Sequence, residues 1–268
     1  MAPSCESSRE AVAVTRRGVL RWSALSVMAA AVTPGLASCT DVSDVAVTGS
    51  VSAERASAYR DLVLEAIPSV EDLWGEGAVP LPVHLDLPST TAAWAAATGH
   101  PPEQQGYAAS TVRADSATSA ARIVIHPGAW DGLSPAGHQA VVTHEVAHLA
   151  MGPGRAAPWW LEEGLAEYSA HRSSATSIAE VAGSALPQAI RDPGDLWPEP
   201  STEGDPWRGY ARAWLACVFI AQRHSEAALV EMFDAAAAGQ PTSEVMQDVL
   251  DEGSDDLHRA WVDWLRNQ

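Results

Sequence analysis

The sequence predicts an α+β fold: a small mixed sheet set among helices, followed by a C-terminal helical lobe. Three observations predict it. Short β-rich runs bounded by proline and glycine fall between Val79 and Ile125, and Ile123-Val124-Ile125, closed by His126-Pro127-Gly128, is the clearest of them. The segments on either side carry apolar residues at mixed three and four spacings, the period of a helix with one buried face. From Trp207 onward apolar helical stretches follow one another, with Gly239 and Gly253 as stops. The organisation expected is a leader over 1–38, a tether over 39–52, an N-terminal helix with the sheet-bearing lobe over 53–185, and the helical lobe over 186–268.

With 268 residues, 47% of them hydrophobic, the chain can bury one sizeable core. It contains no lysine, its 16 basic residues are all arginine, and its formal charge is −18. Such a surface repels nucleic acid and anionic headgroups, so neither is expected as a partner. Thr15-Arg16-Arg17-Gly18-Val19-Leu20-Arg21 resembles a twin-arginine export signal, and the apolar stretch Trp22 to Val32 is too short to span a membrane. Leu36-Ala37-Ser38-Cys39 then resembles a bacterial lipobox. That resemblance implies an exported lipoprotein with Cys39 lipidated as the mature N-terminus, held on the outer face of the cytoplasmic membrane by that anchor alone. An ordinary secretory signal that happens to contain Arg-Arg and a cysteine is the alternative. Cys217, inside the apolar run Ala213 to Ala221, is left without a partner for an internal disulfide and is expected to pack in the core.

Thr40 to Ser52 is small and polar and suits a tether. Ala53 to Trp74 predicts a packing helix, with a break or kink near Ile67 because Pro68 follows. Val79 to Leu87, with Pro80, Pro82 and Pro88, fits an edge strand better than a central one. Thr90 to Thr98 reads as a short helix and Gly106 to Val112 as a second strand. Ser134 and Pro135 open a longer helix as N-cap and first-turn proline, with Val142, Val146 and Leu149 as its core-facing stripe. His138 is expected at the surface, and His126 and His171 as structural or solvent-facing. Leu186 to Pro206, with five prolines, is expected to be irregular. Helices are expected over Trp207 to Arg223, Ala227 to Ala237, Ser243 to Leu250 and Asp255 to Leu265, with Trp261 and Trp264 docking the last of them.

The chemistry concentrates in His144-Glu145-Val146-Ala147-His148 and in Trp160 to Tyr168. Residues four apart share a helix face, so His144 and His148 can offer two imidazoles to one ion, with Glu145 one position round. Neutral imidazole suits Zn²⁺, and a catalytic zinc takes three protein ligands and leaves one position for water, whose pKa falls to about 7. Glu145 would take that water's proton as general base. Gly152-Pro153-Gly154 ends the first helix and Pro158 opens a second. So short a connection makes the two helices neighbours and can bring Glu163 to the ion. Glu167, one turn on, is placed to accept a hydrogen bond from a ligating histidine. Glu162 is the rival ligand but points about 100° away from the face shared by Glu163 and Glu167.

The pairing of His-Glu-Val-Ala-His with Trp-Leu-Glu-Glu-Gly-Leu-Ala-Glu-Tyr resembles the gluzincin metallopeptidases, most of all the peptidase MA-like group. The resemblance covers Val141 to Tyr168, with a gap from His148 to Glu163 shorter than in aminopeptidases and thermolysin-like enzymes. It implies a zincin-like fold, Zn²⁺ as cofactor, Glu163 as third ligand, Glu167 beside the ligands, and a peptide or protein substrate lying along an edge strand, for which Gly106 to Val112 is the candidate. Relatives often carry a downstream Tyr or His that stabilises the oxyanion; Tyr210 is the positional candidate, and a core-packing tyrosine is the alternative. No Gly-x-Met-Glu-Asn segment is present, which favours an endopeptidase over an aminopeptidase. The rival from another class is a non-catalytic lipoprotein that keeps the scaffold for binding. An intact Glu145 argues against it, because only catalysis needs a carboxylate there.

Overall fold

The computed structural model describes residues 44–101, 108–113, 120–152, 155, 157–197 and 207–268. The leader with Arg16, Arg17 and Cys39 lies outside the described residues. In chain order the elements are β1 (Val45–Gly49), α1 (Ala53–Trp74), β2 (Val83–Leu87), α2 (Thr91–Thr98), β3 (Ala109–Val112) and β4 (Arg122–Ile125). A single turn, α3 (Ala129–Gly132), then leads to α4 (Pro135–Ala150) and α5 (Trp159–His171). The remainder is α6 (Ile178–Ala182), α7 (Ala185–Arg191), α8 (Trp207–Arg223), α9 (Glu226–Ala237), α10 (Thr242–Leu250) and α11 (Ser254–Arg266). The fold is mixed α and β, mostly helical, with one four-stranded sheet.

The sheet order is β1-β2-β4-β3; β1, β2 and β4 run parallel and β3 runs antiparallel to β4. Two expectations are corrected here. Val45 to Gly49, read as tether, is a strand in register with Val83 to Leu87, and buries Val45. Its Gly49 has φ +122, and a Cβ there would lie 2.2 Å from the carbonyl oxygen of Leu87, so only glycine closes this strand. β2, expected at an edge, is central. Pro80 and Pro82 precede the strand and Pro88 follows it, so none of them removes a ladder hydrogen bond.

Of the break or kink expected near Ile67, the break does not occur: helix α1 continues through Pro68. Pro68 is exposed and lies on the outer side of the helix, while Tyr59, Val63, Ala66, Ile67 and Val70 stay buried. That stripe packs on α4, whose start follows the sequence: Ser134 accepts from the Gly137 amide at 3.1 Å and Pro135 occupies the first turn. Val142, Val146 and Leu149 are buried beneath it. Leu186 to Arg191, expected to be irregular, belongs to α7, held by the burial of Ala185, Leu186 and Ala189.

Helix α5 is wedged between α4 and α8. Its C-terminal end is tied down by Arg172, whose Nε and Nη2 reach both carboxylate oxygens of Glu226 on α9 at 2.8 and 2.6 Å, while Nη1 reaches Asp72 on α1 at 2.8 Å. The Tyr168 hydroxyl donates to Glu226 as well, at 2.8 Å. A guanidinium that engages a carboxylate through two nitrogens fixes orientation as well as distance, so the roll of α5 about its axis is set from two helices, α1 and α9. Cys217 is fully buried in α8 as core, and burial pushes its thiol pKa up. Trp261 and Trp264 stack on each other and meet Phe219 edge-on and tilted, docking α11.

Candidate metal centre

Two helices supply the centre. On α4, His144 and His148 stand one turn apart and their Nε2 atoms lie 3.1 Å from each other. On α5, Oε2 of Glu163 lies 3.4 Å from Nε2 of His144 and 3.5 Å from Nε2 of His148. One donor atom from each residue thus forms a nearly equilateral triangle, and these three residues are the one such cluster among the described residues. A tetrahedral ion with bonds of about 2.0–2.1 Å requires donor-to-donor edges of about 3.3–3.4 Å. The edges present fit that requirement, and two imidazoles with one carboxylate form a donor set suited to zinc.

Electrostatics bind the cluster together. Burial alone would lower the pKa of His144, but the carboxylates of Glu163 and Glu167 raise it well above the ordinary histidine value. Burial would raise Glu163, yet the imidazoles of His144 and His148 beside it hold its carboxyl far below the usual range. Glu167 is likewise held down, to about 2, by His144 and His171 against the cost of burial. The site therefore stores negative charge beside two imidazoles, the balance a divalent cation completes.

Glu145 is 6% exposed, although a carboxylate of that burial ordinarily needs partners. Its partner is Thr111 on β3, whose hydroxyl lies 2.7 Å from Oε2 of Glu145 and 3.1 Å from the backbone oxygen of the same residue. The rival ligand Glu162 is otherwise engaged: its Oε1 accepts from the Ala157 amide at 3.0 Å and its Oε2 from Arg113 at 3.1 Å. Tyr210 at the start of α8 brings its ring to 6.4 Å from that of His144, with Trp159 edge-on to it at 5.4 Å. Beside His148 a cavity of about 250 Å³ opens, walled by Leu81, Val83, Thr111, Arg113 and Leu149.

The structure thus brings together His144, His148, Glu163, Glu167 and Glu145, and places Tyr210 at the margin. One histidine expectation is corrected. His138 is half-buried between the rings of Tyr59 and Trp130. His171 takes the structural of its two expected roles: its side chain is 6% exposed, with Nε2 3.5 Å from Oε2 of Glu167, behind the metal residues. An i, i+4 reading of Glu167 and His171 could have found it. Thr111 was also missed, because no local pattern links a strand residue to a helix residue 34 positions later. His126 is structural, edge-on to Trp94 at 4.9 Å.

Compared with known proteins, the chain matches no family model and no curated protein. Among the described residues, no helix is long and apolar enough to cross a membrane.

Proposed function

We propose that the chain is a zinc-dependent metallopeptidase of gluzincin type, built on a zincin-like α+β scaffold. The observation that carries this reading is the triangle of His144, His148 and Glu163, with edges of 3.1, 3.4 and 3.5 Å, next to a carboxylate kept buried at Glu145. His144, His148 and Glu163 would hold the ion. Bound there, zinc supplies a Lewis acid and makes water a nucleophile near neutral pH. Glu145 accepts the water's proton and returns it to the leaving amine, which requires it to be ionised first and protonated later. Glu167 orients the imidazole of His144 from its far side. The phenol of Tyr210 is the candidate donor to the carbonyl oxygen as charge develops on it. A peptide or protein substrate would lie along the outer edge of β3, which no described strand covers, with the adjoining cavity taking a side chain. An endopeptidase action is favoured, and export with a lipid anchor on Cys39 completes the proposal.

The test is cleavage of a mixed peptide library by the full chain, with and without chelator, beside Glu145→Gln. Cleavage should stop with chelator and return with zinc. The variant should bind one zinc and turn over slower by about 10²–10⁴-fold. Chelator-insensitive cleavage would remove the zinc mechanism. Absence of cleavage by a zinc-loaded wild type would leave the non-catalytic binding scaffold as the reading.

A further inference from the structure

We infer that Thr111 is the positioning residue of the general base, an inference that rests on the peptidase reading above. Its hydroxyl reaches Glu145 at two points, Oε2 at 2.7 Å and the backbone oxygen at 3.1 Å. A threonine hydroxyl has one proton. The Glu145 carbonyl lies inside α4 and already serves the helix ladder, whereas the carboxylate is charged and closer, so the proton goes to Oε2. Among the described residues Oε1 accepts no hydrogen bond and is left for the proton it must collect.

The placement of Thr111 supports the role. It belongs to β3, the outer strand, and pairs with Ile123 of β4, so the sheet fixes its backbone. β3 packs on α4, and the Thr111 side chain projects onto it. The same residue lines the cavity beside His148. Threonine is branched at Cβ and has few rotamers, so its hydroxyl is held in place at little further entropic cost. A buried carboxylate with one fixed partner has one orientation, and misplacing a reacting group by about 1 Å costs about 10²-fold in rate.

The experiment compares Thr111→Val, which keeps the shape and removes the hydroxyl, with Thr111→Ser, which keeps the hydroxyl. Wild type and Glu145→Gln run beside them. Each full-length, zinc-loaded protein is assayed for kcat and KM on one peptide that the library shows to be cleaved, and for zinc content. A reading independent of turnover comes from the cobalt-substituted proteins, whose visible spectrum reports the dissociation constant of acetohydroxamate. That ligand chelates the metal and needs a correctly aimed base carboxylate to take its proton. Thr111→Val should lose about 10- to 100-fold in kcat and about tenfold in acetohydroxamate affinity, with KM within about twofold and metal content unchanged. Thr111→Ser should stay within about threefold on every measure. If Thr111→Val does not fold, Thr111→Cys replaces it, because a thiol is only a weak donor.

Wild-type kcat and acetohydroxamate affinity in the valine variant would overturn the inference. So would a serine variant as impaired as valine, which would assign the effect to packing, or a change confined to KM, which would assign it to substrate contact. A wild type that does not cleave, or a Glu145→Gln variant that cleaves equally well, would overturn the peptidase reading itself and Thr111 with it.

Discussion

Oε1 of Glu167 lies 3.3 Å from Nδ1 of His144, on the side of the ring opposite the nitrogen that faces His148 and Glu163. The other oxygen of the same carboxylate lies 3.5 Å from His171. One largely enclosed carboxylate on α5 therefore lies against two imidazoles, on the side of His144 away from the nitrogen an ion would meet, where it can orient that ring. Glu167→Gln keeps the shape and removes the charge. It should weaken zinc binding by about 10- to 100-fold while the protein stays folded. Competition with a chromophoric chelator measures this, and an unchanged affinity would show that the contact does not orient the ligand.

Metal and proton compete for His144. Its folded pKa lies well above 6.5, because Glu163 and Glu167 outweigh the effect of burial, so at pH 7 the metal-free ring holds a proton that zinc must displace. Affinity falls as pH drops, by up to about tenfold per unit below that pKa, and binding at pH 7 releases a proton. Calorimetry in two buffers of different ionisation enthalpy counts the proton, and heats that do not depend on the buffer would contradict the shift. The same site stabilises the fold by linkage. Free zinc at 100 times its dissociation constant should add about 2.7 kcal/mol, read as a rise in melting temperature that a chelator reverses.

Much of this centre is legible in the sequence because helices make it local. His144, Glu145 and His148 are ordered by one helical period, and Glu163 and Glu167 by another; the phase of the second separates Glu163 from Glu162 before any coordinates are seen. What the sequence hides comes from the sheet. Val45 to Gly49 is too short and small to announce a strand, and acquires that state only by pairing with β2. The prolines around β2 argue for an edge when counted by window, yet they flank the strand and leave its ladder whole. Thr111 reaches Glu145 only after β3 and α4 have packed, a tertiary contact that no spacing rule encodes.

Tyr210 separates two roles by which quantity moves. Its ring lies 6.4 Å from that of His144 and 5.4 Å from that of Trp159, and its phenol either serves the reacting carbonyl or completes the packing. Tyr210→Phe preserves the ring and removes the hydroxyl. A donor to the developing oxyanion predicts a loss of about 10²–10³-fold in kcat, with KM and melting temperature nearly unchanged. Steady-state kinetics beside a thermal melt decides it, and a variant with full kcat assigns Tyr210 to packing.

Gly164 joins the metal ligands to the core. It lies between Glu163 and Leu165 on α5, where that helix presses on α8, and a Cβ there would fall 2.5 Å from the backbone oxygen of Ala213 and 2.7 Å from Sγ of Cys217. Neither distance is tolerable, so α5 would have to move away from α8, carrying Glu163 and Glu167 with it. Gly164→Ala should therefore destabilise the fold by about 1–3 kcal/mol and weaken zinc binding in the same variant. Adding Cys217→Ala removes the sulfur but leaves the closer backbone oxygen, so the double variant should recover only part of either loss. Denaturant unfolding with a parallel zinc titration measures both. A single variant with wild-type stability and affinity would show that the helix spacing tolerates a methyl group, and that the glycine does not set the position of Glu163.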